Sequence, residues 1–168
     1  MFKWIKFGVE IVAIFIFIKF LLFPIVGYFL GTSAPLVAVV SGSMEHNGNF
    51  TTWWGSQKTF YEAHNISKAE FNFSPFRNGF NTGSVMLLMS SDNIQIGDVI
   101  VYKANDNYII HRVVSLNPLQ TKGDANEAQI PNFELDIDKK LLVGKAVANV
   151  PYLGWVKTIF IKIVEKVT

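Results

Sequence analysis

Hydrophobic and polar positions divide the chain into three stretches. The first, FGVEIVAIFIFIKFLLFPIVGYFL at residues 7–30, is almost wholly apolar. Residues 11–30 alone make 20 positions, which as a helix is about 30 Å, one hydrocarbon thickness. The pattern therefore predicts a membrane anchor over residues 1–33. Three residues complicate it. Glu10 lies near one end, Pro24 should kink the helix, and Lys19 lies inside. An internal lysine costs roughly 2.5–3.5 kcal/mol at a helix centre, relieved by snorkelling or by a partner. Lys3 and Lys6 precede the run, and after Lys19 the next cation is Lys58, so the positive-inside rule puts the N-terminus in the cytoplasm and the rest outside. The rival, a cleaved secretory leader, fits less well. The run exceeds the usual apolar centre of about 7–15 residues, and Gly31-Thr32-Ser33-Ala34 offers no clean Ala-x-Ala.

In the second stretch, residues 34–150, the period shortens. Residues 34–40 read as a buried strand. Residues 84–89, 99–102, 108–114 and 141–150 read as further strands, joined by turns at Ile96-Gly97-Asp98 and Asp106-Asn107. Short strands with frequent turn signals indicate a mainly β domain, an all-β barrel or folded sheet. Residues 46–83 interrupt the strands as a long insertion rich in Asn, Gly, Ser and aromatics. One short helix is expected there near Ser67–Phe71, because Ser67 and Glu70 make a capping box. The rest reads as a loop, whose Trp53, Trp54, Phe60 and Tyr61 are expected to help seat the domain in the headgroup layer. Asn49, Asn65 and Asn72 begin Asn-x-Ser/Thr sequons.

The third stretch, residues 151–168, has apolar residues at 155, 156, 159, 160, 163, 164 and 167. Lys157, Lys162, Glu165 and Lys166 lie opposite. That is an amphipathic helix, expected on the membrane surface, with packing on the domain as its rival.

Composition narrows the chemistry. Half of the 168 residues are hydrophobic and mean hydropathy is +0.29, high for a soluble globule. Net charge is +2 with lysines spread along the chain, so no basic stripe points to nucleic acid. With no cysteine there is no thiolate nucleophile and no Cys-based metal site. Serine chemistry remains open. Ser43 follows a glycine at the end of a strand, where its hydroxyl would be exposed. Such a hydroxyl needs a base, commonly His, and the base is commonly held by a carboxylate. His111 lies in the strand YIIHRVV, and Asp124 follows a further strand, after Gly123, which permits a sharp turn.

Four boxes in this order, SGSME (41–45), IGDVIVYK (96–103), IIHRVV (109–114) and TKGDAN (121–126), resemble signal peptidase I of the archaeal and endoplasmic-reticulum type, a membrane-bound serine endopeptidase. VPYLGWV at 150–156 resembles the family's membrane-facing stretch. The resemblance implies a signal-peptidase-like folded β-sheet or barrel, with Ser43 as nucleophile, His111 as general base and Asp124 as the acid. Ser41 Oγ and the Ser43 N–H would form the oxyanion hole. It implies no metal or cofactor, secretory preproteins as substrates, a lipid bilayer as neighbour, and a single-pass protein of the cell membrane with its catalytic domain outside. Small residues before the cut would be selected by shallow pockets, with Val39, Val40, Val85, Leu87 and Ile110 as candidate walls. Three departures stand out. His46 replaces a usual proline, the 46–83 insertion is long, and Ile130 stands where many members carry a second acid. Glu127, Asp136 or Asp138 are the candidates to replace it. The alternatives are another membrane-tethered serine peptidase of the same fold and an inactive binding relative.

Overall fold

The computed structural model describes residues 2–105 and 107–151. The expected tail helix lies outside these residues, as does Asp106 of the expected turn. The N-terminal run is helical from α1 (Phe2–Phe17) through a π-helical segment (Ile18–Leu22) into α2 (Phe23–Leu30). The π segment has a local cause. The Pro24 ring would collide with the carbonyl four residues back, that of Phe20, and widening the helix by one residue relieves the clash. Within it the Phe23 N–H bonds the Ile18 carbonyl, five residues back. The helix from Lys3 to Leu30 is long and apolar enough to cross a membrane, and its central window is unburied. Gly31 ends it in the left-handed region at φ 65°, where a side chain would be strained. The helix end is fastened to the domain. Ser90 N–H donates to Leu30 O at 2.7 Å, and Thr32 Oγ1 donates to Val143 O at 2.7 Å.

Six antiparallel strands form one sheet in the order β1-β2-β6-β3-β4-β5. They are β1 (Leu36–Ala38), β2 (Val85–Met89), β3 (Val99–Ala104), β4 (Asn107–Leu116), β5 (Leu119–Lys122) and β6 (Leu142–Val150). The mainly β expectation therefore holds, behind one apolar N-terminal helix. The strand expected over residues 34–40 is only three residues long, and β5 is the strand expected ahead of Asp124. Strand alternation sends side chains to two faces. Val99, Val101 and Ile110 join a core with Val37, Met44, Met86 and Leu88. Ile100, Tyr102 and Val113 join Leu119 and Ile137 on the other side.

The insertion departs most from expectation. It is not an irregular loop but a pair of helices, α3 (Phe50–Ala63) and α4 (Lys68–Phe73). Asn49 caps α3 by accepting from the Thr52 N–H at 2.9 Å, and the capping box of Ser67 and Glu70 is present on α4. Trp53, Trp54, Tyr61 and Phe71 are buried together against Val114. The membrane-seating role expected of Trp53, Trp54 and Tyr61 is thus corrected: their rings are core, and only Phe60 is partly exposed.

Candidate active site

Chain geometry brings Ser43 and His111 together from opposite sides of the sheet order. After β1 the chain stays beside the end of β2, with Val39 N–H donating to Ser84 O at 2.8 Å. It then turns at residues 42–45, where Glu45 N–H bonds Gly42 O at 3.0 Å. Glu45 accepts from the Thr82 N–H and hydroxyl at 2.8 and 2.9 Å, which hold its carboxyl below the usual range. On the far side of the turn, Ala125 N–H donates to Ser43 O at 2.8 Å, tying the serine to the segment after β5. Met44 is fully buried and its sulfur receives the Asp124 N–H at 3.4 Å. Ser43 is left half-buried and Ser41 exposed.

His111, on β4, directs Nε2 at Ser43 Oγ, 3.0 Å away. Ser41 Oγ is 3.2 Å from the same oxygen. Gly123 lies against the imidazole. A Cβ there would come within 2.9 Å of His111 Nε2 and 2.6 Å of Asn126 Nδ2, so the chain passes this close only because the side chain is absent. A cleft of about 250 Å³ opens beside the pair, bounded by Val37, Ala38 and Val40 on one side and Tyr108, Ile109 and Ile110 on the other. Of the five expected wall residues, Val40 and Ile110 line it. Val39 points into the core. Val85 and Leu87 lie on β2, behind β1.

Asp124 is placed differently from the expectation. Instead of meeting the His111 ring, its carboxylate accepts from Arg112 Nε and Nη2 at 2.9 and 2.7 Å, from Tyr61 OH at 2.8 Å, and pairs with His46 Nε2 at 2.9 Å. Burial alone would raise its pKa. The Arg112 guanidinium and the His46 bond outweigh burial and hold it well below the usual carboxylate range. Arg112 also donates to the carbonyls of Pro75, Phe76 and Gly97. Its burial, which would lower its pKa, is outweighed by Asp124, so the guanidinium is held charged. His46, the residue in place of the proline, stacks flat on Trp53 at 3.6 Å, and Trp53 Nε1 donates to Asp124 O at 3.1 Å.

The group beside His111 Nδ1 is Glu134, with Oε1 at 2.5 Å. The oxygen lies off the N–H direction, so this is a close contact without an aligned hydrogen bond. Glu134 is fully buried. Its two oxygens accept from Gly123 N–H at 3.0 Å and Ile130 N–H at 2.5 Å. It sits at the end of a four-residue helix, α5 (Pro131–Glu134), that starts on a proline. Glu127 and Asp136, the candidates for a second acid, are both exposed, and Asp138 instead caps the Lys140 N–H. Sequence reasoning missed Glu134 because several acids follow the Gly-Asp box and spacing ranks none of them. The available signal was Pro131, which favours the first turn of a helix and so marks a local fold-back. Among the described residues no group of three or more His, Cys, Asp or Glu could hold a metal ion.

No family model matches the chain. Curated proteins described as signal peptidase complex catalytic subunit SEC11C, from Homo sapiens, Canis lupus familiaris and Mus musculus, are each 26 % identical to it over 144 residues. The match covers 77 % of this chain and 58 % of theirs, so the chain spans little more than half the length of the curated relatives it matches. This distant similarity supports a place in the signal peptidase family.

Proposed function

We propose that the chain is a membrane-anchored serine endopeptidase of the signal peptidase type, in the archaeal and endoplasmic-reticulum branch that uses His as base. Its substrates are secretory preproteins and its product is the severed signal peptide. The observation that carries this reading is the Ser43 Oγ to His111 Nε2 contact at 3.0 Å, at the mouth of a cleft beside an edge strand. Residues 34–150 are the catalytic domain, held outside the membrane by the anchor, with the N-terminus in the cytoplasm. The relatives' description as subunits of a complex favours accessory chains here too.

In this mechanism the extended substrate pairs with β1, which is an edge strand of the sheet among the described residues. Ser43 Oγ attacks the scissile carbonyl while its proton passes to His111 Nε2. The oxyanion is met by the Ser43 N–H and Ser41 Oγ, placed 3.2 Å from the nucleophile. His111 then protonates the leaving amine of the mature protein, and the C–N bond breaks to leave an acyl-enzyme. Water, deprotonated by His111, attacks the ester and frees the signal peptide as its carboxylate. Glu134, rather than Asp124, is the carboxylate beside Nδ1, so it holds the ring and balances the imidazolium. Asp124 acts at a distance by fixing the segment that carries Gly123 and the Ala125 tie to Ser43. A neutral His111 is needed to take the Ser43 proton, so acidification that charges the ring abolishes activity.

The test is cleavage of a secretory preprotein in liposomes by wild type, Ser43→Ala and His111→Ala. Wild type should trim the leader, and each variant should lose about 10⁴-fold or more. Equal cleavage by all three would overturn the assignment. Labelling of Ser43 by an acylating probe without preprotein cleavage would favour another peptidase of the same fold.

A further inference from the structure

The N-terminal helix carries a charge that the proposed catalysis does not use. Lys19 is exposed in the π-helical segment, eight residues from Ile11 and eleven from Leu30. At 1.5 Å per residue those ends are about 12 and 17 Å away. The flexible four-carbon stem of lysine covers about half of the shorter distance, so snorkelling to lipid phosphate falls short. Among the described residues no carboxylate pairs with it. Glu10 is taken by Lys6, one turn away at 4.0 Å. The rings of Phe15 and Phe20, 5.9 and 5.4 Å from Nζ, compensate only in part. The same face is concave: Lys19 lines a groove of about 870 Å³ with Phe15, Ile18, Phe23 and Pro24, and the groove runs on past Gly27 to Thr32 and Pro35 at the junction with the domain.

We propose that this face docks a second membrane-spanning helix, on another chain, whose aspartate or glutamate pairs with Lys19 at mid-bilayer depth. The apolar groove gives the packing surface and the lone cation gives the register. A second copy of this chain fits poorly, because a like face would bring Lys19 against Lys19. The core of a signal peptide is apolar and would leave the charge unpaired. The inference rests on the helix spanning the bilayer and not on the Ser43–His111 reading, which preprotein cleavage tests separately.

The test uses the full chain in phosphatidylcholine vesicles and labelled synthetic spans of about 20 Leu and Ala residues, with a central Glu, a central Gln, or neither. Energy transfer reads association. The Glu span should bind wild type roughly three- to thirty-fold more tightly than the other two. The preference should vanish in Lys19→Leu and reappear toward a Lys span in Lys19→Glu. Equal binding of all three spans would mean a general apolar groove and overturn the proposal, as would a preference that survives in Lys19→Leu. Loss of the preference in anionic vesicles would assign Lys19 to lipid phosphate instead. A preference seen only with Glu165→Gln would assign it to the chain's own tail. Extraction of the chain by alkaline carbonate would remove the span and the proposal with it, whatever the cleavage assay reads.

Discussion

His111 and Arg112 are neighbours on β4 and face opposite sides of the sheet. Arg112 is completely buried, and its five hydrogen bonds reach Asp124 and three backbone carbonyls. Phe71 lies beneath its guanidinium, 4.5 Å from ring centre to carbon. His111 has a hydroxyl at Nε2, one carboxylate off-axis at Nδ1, and a cleft beside it. The Arg112 side is over-determined and the His111 side is under-determined. A buried pair with every donor satisfied is rigid and inert. A base must keep one bond that it can exchange for a proton. The two faces divide holding from reacting, and Asp124 belongs to the holding face.

The sharpest way to break that division is to exchange the two acids. Glu134→Gln removes the charge beside His111 while keeping the side chain's shape. Cleavage of the preprotein should fall about 10³–10⁴-fold in kcat. The melting transition should lose far less, because the amide oxygen still serves one of the two backbone N–H groups, and one unsatisfied group costs about 1–3 kcal/mol. An unchanged kcat would remove Glu134 from the site.

Asp124→Asn should do the reverse. It leaves the Arg112 guanidinium buried without its counter-charge, which costs about 3–5 kcal/mol in denaturant unfolding. The pH dependence has a definite sign. The folded carboxyl of Asp124 is held below its unfolded value, so its contribution is present above about pH 4 and is lost as pH falls further, toward the folded value. Wild type and Asp124→Asn should therefore converge in stability on acidification below about pH 4. A gap that stays constant there would mean that the charge of Asp124 contributes nothing.

The two faces were unequally legible from residues alone. Ser43 and His111 stood out because each sits at a strand end or within an alternating strand, where the side chain's direction follows from the period of two. Asp124 stands out for its glycine neighbour, but its pairing with Arg112 and not with the His111 ring depends on a register between β4 and β5 that sequence does not supply. The structure pairs Arg112 with Lys122 across that ladder. The α3 helix was hidden by Thr51, Thr52 and Gly55, poor helix formers, although Phe50, Trp53, Trp54 and Tyr61 carry the helical spacing and Asn49 the cap. Tertiary burial of those rings against Val114 outweighs propensity. Glu134 depended on a fold-back of four residues that no hydrophobic period encodes.

The smallest expected effect probes a buried cation on the holding face that has no carboxylate bonded to it among the described residues. Lys122 lies directly opposite Arg112 in the β4–β5 ladder and is equally buried, yet its Nζ bonds only Gln57 Oε1 at 2.8 Å and Gly123 O at 3.1 Å. The rings of Phe60 and Tyr61 lie 5.0 and 5.3 Å away. Burial, only partly offset by Asp124 and Glu134, pushes its pKa down to about 8. A lysine lowered on folding binds fewer protons folded than unfolded between that value and its ordinary one near 10.4. Stability should then rise with pH across that window. Wild type should gain on the order of 1–2 kcal/mol between pH 8 and 10 relative to Lys122→Met, which keeps the unbranched shape without the charge. Thermal melts of the two chains in parallel would measure it. Parallel curves would mean that the amide and the two rings hold the ammonium as well as water does, and the holding face would then be complete.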